Sequence, residues 1–144
     1  MGDASFHIET INETEARVVA DGLNTFNLLN APAVNEMWTP IYLALKDENG
    51  TIAGGILAGV GYWNVLDIKM IWVREAYRGK SYGAQLLEQA EEQAKKHGAY
   101  LSVLDTFDFQ ARGFYEKQGY TVAGQIDDFP KDHTRFTLIK RLDT

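Results

Sequence analysis

Apolar and polar positions alternate along SFHIET (Ser5–Thr10), which predicts a strand near the start of the chain. Asn12 with Glu15 three residues on is a capping-box pattern, and a helix is expected from there to about Asn27. NLLNAPAVNEMW mixes apolar residues with Pro32 and asparagines and reads as a loop or a short broken helix. PIYLALKDENGTIAGGILAGVGYW predicts two strands around DENGT, with Asn49-Gly50 as the hairpin signal. VLDIKMIWV is mostly apolar and is expected to be a central strand. From Ser81 to His97 the apolar positions Gly83, Leu87, Ala90 and Ala94 fall at helical spacing, with Glu and Lys on the other side, and Gly98 ends the run. AYLSVLDTF predicts a strand, DFQARGFYEKQ a short helix closed by Gly119, and YTVAGQI with RFTLIKRL a terminal strand pair. The order β-α-β-β-β-α-β-α-β-β implies an α+β fold: a mixed sheet with one parallel crossover around the Ser81 helix.

Composition narrows the function. A chain of 144 residues, 45% hydrophobic and 24% charged, is expected to form one domain, residues 1–144, with its own core. A formal charge of −6 argues against nucleic acid or an anionic membrane as the main partner and mildly favours a small cationic ligand. Without cysteine there are no disulfides, thiol catalysis or Cys-based zinc sites. His7, His97 and His133 lack ligand-like spacing, so no metal is expected. MGDASF resembles a myristoylation start but has Phe6 where Ser or Thr is needed. No basic-then-apolar leader is present, and Ile52–Trp63, the longest apolar stretch, is too short and glycine-broken to span a bilayer. A soluble, cytoplasmic protein is the expectation.

The candidate chemistry begins at YRGKSYGAQLL (Tyr77–Leu87), a basic, glycine-containing loop that leads into a helix. Free N–H groups at a helix N-terminus and the positive end of its dipole suit an anion. Gly79-Lys80-Ser81 matches the tail of a phosphate-binding P-loop, but Arg74 stands where its leading glycine should be, and a GxGxxG fingerprint is absent. A basic surface turn before a helix would explain the loop alone.

The longer run VREAYRGKSYGAQLLEQAEEQAKKHGA resembles the acetyl-CoA motif of the GNAT N-acetyltransferases, Arg/Gln-x-x-Gly-x-Gly/Ala. Arg78 and Gly83 match its ends, and Ser81 replaces the first glycine. A serine there keeps its backbone N–H, provided that the position needs neither positive φ nor contact closer than a Cβ allows. DFQARGFYEKQGY resembles the same family's Asn-x-x-Ala-x-x-x-Tyr-x-x-x-Gly-Phe/Tyr segment through Ala111, Tyr115, Gly119 and Tyr120, with Asp108 in the Asn position. The resemblance spans roughly Pro40 to Leu142 and points to a subgroup of small bacterial members of mostly unassigned substrate. It implies a GNAT-like fold, a mostly antiparallel central sheet with helices on both faces.

It also implies acetyl-CoA as the acetyl donor and a small-molecule amine as the acceptor. Backbone N–H groups of Gly79, Lys80, Ser81, Tyr82, Gly83 and Ala84 would hold the pyrophosphate, with charge from Arg78 and Lys80. Pantetheine would pair with Ile71, Trp72 and Val73 like a short extra strand, which requires the next strand to diverge. Asp108 and Ala111 fall at cofactor-contacting positions. Capping of the following helix is the plainer role for Asp108. Tyr115 takes the family's acid position and would protonate the leaving thiolate as a tetrahedral intermediate collapses. Packing a helix onto the sheet is its alternative role. A backbone N–H near Val73 would polarise the thioester. Asp67, read as sharing a strand face with Lys69, Ile71 and Val73, is the candidate base or else a partner of Lys69. Glu36 and Asp105 are further candidates, and a water relay is open.

Acceptor pockets of the family draw on segments that here carry Trp38, Trp63 and Phe129 next to turns, with Asp128 among the acids; such a set suits a cationic amine. Two other readings compete: a CoA-binding module that has lost catalysis, given Ser81 and Asp108, and a protein-modifying acetyltransferase. The resemblance also allows a homodimer.

Overall fold

The computed structural model describes residues 5–34 and 37–144, so Glu36 lies outside the described residues. Two compact units are present, one up to Ala33 and one from Val34 to Thr144. In the first, helix α1 (Glu13–Asn30) starts with the expected capping box: the Asn12 side chain accepts the Glu15 N–H at 2.8 Å and the Glu15 carboxylate reaches the Asn12 N–H. The helix runs past Asn27 and stops where the Ala31 N–H bonds back to Asn27, just before Pro32. Ser5–Thr10 is not a strand. Alternation specifies a strand only where a neighbour takes up its backbone groups, and no such ladder forms on this segment.

The second unit is a six-stranded sheet in the order β1-β2-β3-β4-β6-β5. Its strands are β1 (Thr39–Lys46), β2 (Ile52–Val60), β3 (Val65–Val73), β4 (Leu101–Phe107), β5 (Thr121–Asp127) and β6 (Thr134–Arg141). All neighbouring pairs are antiparallel except β3–β4. That parallel pair needs a crossover, which α2 (Tyr82–Lys96) supplies, while α3 (Arg112–Lys117) links β4 to β5. The result is the expected α+β sheet with one parallel pair. β3 is central, as its nearly continuous apolar run requires.

The core lies between one face of this sheet and α2. Ile41, Ile56, Ala58, Leu66, Ile68, Leu104 and Leu138 from the strands meet Leu86, Leu87, Ala90 and Ala94 from the helix. Glu91, which periodicity puts with the polar residues, is buried on the same helix face. It takes a hydrogen bond from the Tyr120 hydroxyl at 2.8 Å and an ion pair from Lys140 at 2.7 Å, and Ser102 completes the group at 2.7 Å from the Tyr120 oxygen. A buried carboxylate is tolerable because each of these polar atoms has a partner.

One irregularity in β3 decides the position of the site. Leu57 pairs with Met70 but Ala58 with Ile68, so Lys69 is an extra residue, a β-bulge. The bulge shifts the side-chain alternation by one. Ile71 and Val73 pack against the core, while Asp67 and Lys69 stand on the opposite, open face. The expectation that all four share a face is therefore corrected: period-two counting fails across an inserted residue.

Candidate active site

Pairing between β3 and β4 runs from Val65↔Leu101 to Ile68↔Leu104 and stops there, at the bulge. Beyond it β4 continues against β6, and β3 continues to Val73 with no strand paired on its β4 side among the described residues. The sheet thus opens between Lys69–Val73 and Asp105–Phe107. This is the divergence the resemblance requires, and its cause is local: a bulge bends its strand and ends regular pairing. The Val73 carbonyl, at the outer end of this free edge, accepts Arg78 Nε at 2.8 Å. Arg78 ties the loop to the strand.

That loop runs through a short 3-10 turn (Glu75–Tyr77) to the N-terminus of α2. Gly79 and Ser81 both adopt left-handed backbone, φ 77° and 67°. The condition set for Ser81 is not met, because the position does need positive φ. A serine there carries roughly 1–2 kcal/mol of strain. Ser81→Gly is expected to raise stability by about 0.5–1 kcal/mol, the strain relieved less glycine's greater entropy loss. Denaturant unfolding measures this, with acetyl-CoA binding unchanged.

Gln85 is the first residue of α2 whose N–H bonds back, to Ser81 O. The N–H groups of Tyr82, Gly83 and Ala84 precede it, no side chain caps them, and the first turn holds no acidic residue. The contrast with α1 is informative. There Asn12, Glu13 and Glu15 fill the equivalent positions. The first N–H groups of α2 have no side-chain cap, and such a helix start suits an anion. Gly83 has a second constraint, since a Cβ at this position would lie 3.3 Å from the Phe114 ring of α3.

Tyr115 sits on α3 with its ring buried edge-on against Phe114 and Tyr120. Its hydroxyl makes no hydrogen bond among the described residues, unlike that of Tyr120, which holds both Glu91 and Ser102. Packing alone accounts for the ring and leaves the oxygen unexplained. Burial pushes this phenol up to about 12, so it is protonated throughout the physiological range.

Asp108 does not cap α3, whose N-cap is Ala111 without a side-chain bond. Its carboxylate instead holds the β5–β6 loop: one oxygen lies 2.8 Å from His133 Nδ1 and the other accepts the Thr134 N–H at 3.1 Å. Desolvation raises the Asp108 pKa, but the bonds to His133 and Thr134 outweigh it and hold the group below the usual carboxylate range. The expectation missed this because its partners lie far along the chain.

On the open face, Asp67 pairs with Lys69 at 2.6 Å, the partner role foreseen for it. Trp38 lies flat over Gly59, where any Cβ would overlap its ring, and Lys69 Nζ stands 5.6 Å from that ring. Further along, Asp105 bonds Arg135 and, at 2.7 Å, Thr137. Partial burial raises the Asp105 pKa, yet those two bonds and the charges of Arg135 and Lys69 bring it down. Phe107, Phe109 and Phe129 cluster at the end of β4, with Arg135 over Phe129 and His133 edge-on to Phe109. Asp128 shapes the loop beside them by accepting the Asp132 N–H at 2.7 Å. Trp63 is not part of this group. It lies in the β2–β3 turn, at the end of β3 away from Phe107 and toward which Trp38 also reaches, over Gly59 and Gly61.

An uncapped helix start thus lies next to a strand edge that β4 leaves unpaired, the two joined by Arg78. The profile of the Acetyltransferase (GNAT) family matches residues 12–120. A blasticidin-S acetyltransferase of Streptomyces morookaense is 38% identical over 96 residues, 66% of this chain and 70% of that protein. The crystal structure of an acetyltransferase from Bacillus cereus superposes with a TM-score of 0.87 at 34% identity, covering 94% of this chain and 97% of its own. A Bacillus anthracis protein solved with acetyl coenzyme A superposes at 0.64 with 24% identity, over 72% of this chain and 62% of its own. The chain belongs to the GNAT acetyltransferase family. It is a transferase, and acetyl-CoA is its acetyl donor. Among the described residues no cluster of His, Asp or Glu could hold a metal, and no helix is long and apolar enough to cross a membrane.

Proposed function

We propose that residues 1–144 work as one N-acetyltransferase domain that acetylates a primary amine of a small cationic molecule by direct transfer. The observation that carries this is the conjunction of the uncapped α2 N-terminus with the free β3 edge. The N–H groups of Tyr82, Gly83 and Ala84 suit a pyrophosphate, with Lys80 nearby in sequence. The edge at Ile71, Trp72 and Val73 offers strand-like hydrogen bonds to amides. Acetyl-CoA brings an acetyl group activated as a thioester.

The residues of the chain then divide the work. N–H groups of β3 along the gap can stabilise negative charge developing on a carbonyl oxygen. Tyr115 donates its hydroxyl hydrogen toward the departing sulfur. A phenol held up near 12 does this as a hydrogen-bond donor and does not ionise at neutral pH. Trp38, Phe129 and Asp128 border the acceptor side, where aromatic faces and carboxylates favour a cation. The blasticidin-S relative supports an aminated antibiotic as the acceptor class.

The test is acceptor-dependent thiol release from acetyl-CoA with a panel: blasticidin S, an aminoglycoside, a polyamine and a lysine-containing peptide. Turnover with a small amine and none with the peptide is expected. Turnover with the peptide alone would favour a protein-modifying enzyme. Binding of acetyl-CoA without thiol release on any amine would leave a CoA-binding module.

A further inference from the structure

We propose that His133, oriented by Asp108, is the base that takes the proton from the acceptor's ammonium group. This rests on the acetyl-transfer reading above and adds to it the residue that makes the amine nucleophilic.

Asp108 sets the tautomer of His133. Asp108 is ionised, and its carboxylate lies 2.8 Å from His133 Nδ1, so a neutral ring carries its hydrogen on Nδ1 and donates it there. Nε2 is then an unprotonated acceptor, and it has no partner among the described residues. Two further contacts fix the ring. The other Asp108 oxygen is anchored by the Thr134 N–H, and Phe109 meets the imidazole at 80°, with centroids 4.9 Å apart. A base held by a carboxylate that is itself held is the arrangement that activates nucleophiles in unrelated enzymes.

Placement supports the role. Asp108 follows β4 directly, and its own N–H bonds the Thr134 carbonyl, so the loop carrying His133 hangs from the end of one wall of the gap. Among the described residues the other candidate carboxylates are less suited. Asp67 is engaged by Lys69, and Asp105 by Arg135 and Thr137. The charged groups around the imidazole are Asp108 from the end of β4, and Asp128, Lys131 and Asp132 from its own loop; Arg135 of β6 is turned onto Phe129 and Asp105. In the step, Nε2 accepts one proton from R–NH3+, leaving R–NH2 with its lone pair free, and the imidazolium later gives that proton to water. The departure from Asn at position 108 gains a purpose, since only a carboxylate balances that charge.

Two measurements test this. Nitrogen-15 NMR of the imidazole in the wild type above its titration should report a hydrogen on Nδ1 and none on Nε2, with that preference lost in Asp108→Ala. The opposite tautomer in the wild type overturns the proposal without reference to activity. The second uses His133→Asn, whose amide can still donate to Asp108 but has no Nε2. With the fastest acceptor of the panel, kcat/KM should fall about 100-fold and lose its acid limb, while acetyl-CoA affinity and Tm stay unchanged. A retained acid limb in His133→Asn, or its loss in Asp67→Asn instead, would overturn the proposal. Failure of the enzyme reading looks different: the wild type itself would release no thiol with any amine, and the base role would fall with it.

Discussion

Tyr115→Phe is expected to lower kcat by roughly 100- to 1,000-fold while leaving acetyl-CoA affinity and stability almost untouched. The size follows from removing a hydrogen-bond donor that, on the proposed mechanism, faces the departing sulfur. The selectivity follows from the structure. The ring makes its contacts with Phe114 and Tyr120 through carbon, and phenylalanine keeps them. Among the described residues the hydroxyl has no partner to lose, so its removal strands no buried group. Single-turnover thiol release, calorimetry with acetyl-CoA and thermal unfolding measure the three quantities separately. A fall in Tm with unchanged turnover would return Tyr115 to the packing role that its sequence position also allows.

The largest effect on stability is expected from Glu91→Ala, at about 3–5 kcal/mol. Deleting this carboxylate leaves Lys140 Nζ and the Tyr120 hydroxyl, both partly or fully buried, without their acceptor. The penalty is the desolvation of the stranded groups, which exceeds any attraction the intact pair supplies. For a domain of this size the loss corresponds to a drop in Tm of roughly 10 °C or more. Replacing Glu91 and Lys140 together with apolar residues should recover much of it, since no charge is then left buried alone. Thermal or urea unfolding of the single and double variants settles the matter. A single-variant loss below about 1 kcal/mol would mean that water reaches the cluster.

Periodicity revealed most of this fold, and its failures have physical causes. The Asn12–Glu15 cap, the Asn49-Gly50 turn, α2 and the final strand pair are encoded within a few residues of themselves, where spacing rules apply. Ser5–Thr10 alternates without a ladder, and a strand is a property of two segments. Glu91 breaks the helix pattern because its partners, Tyr120 and Lys140, come from β-strand neighbours far along the chain. Lys69 is a bulge that no local composition marks, yet it sets the side-chain parity of Ile71 and Val73 and opens the sheet. The donor loop was legible for the opposite reason: Arg78, Gly79, Ser81 and Gly83 are contiguous. In the sequence His133 is one of three scattered histidines, because only the folded hairpin brings it to Asp108. Its one signal in the sequence was the acid at 108 where the family pattern has Asn.

On the proposed function, the open start of α2 holds the phosphates of acetyl-CoA. Ala84→Glu probes this, because a glutamate in the first turn puts a negative charge where the phosphates would sit, and its carboxylate can reach back to the Ser81 N–H. Calorimetric titration of acetyl-CoA into the wild type and this variant should give micromolar-range binding in the wild type. In the variant, binding should be weakened at least about tenfold, with Tm unchanged or raised by the better-capped helix. Equal affinity in the two proteins, or no binding by the wild type, would contradict the account.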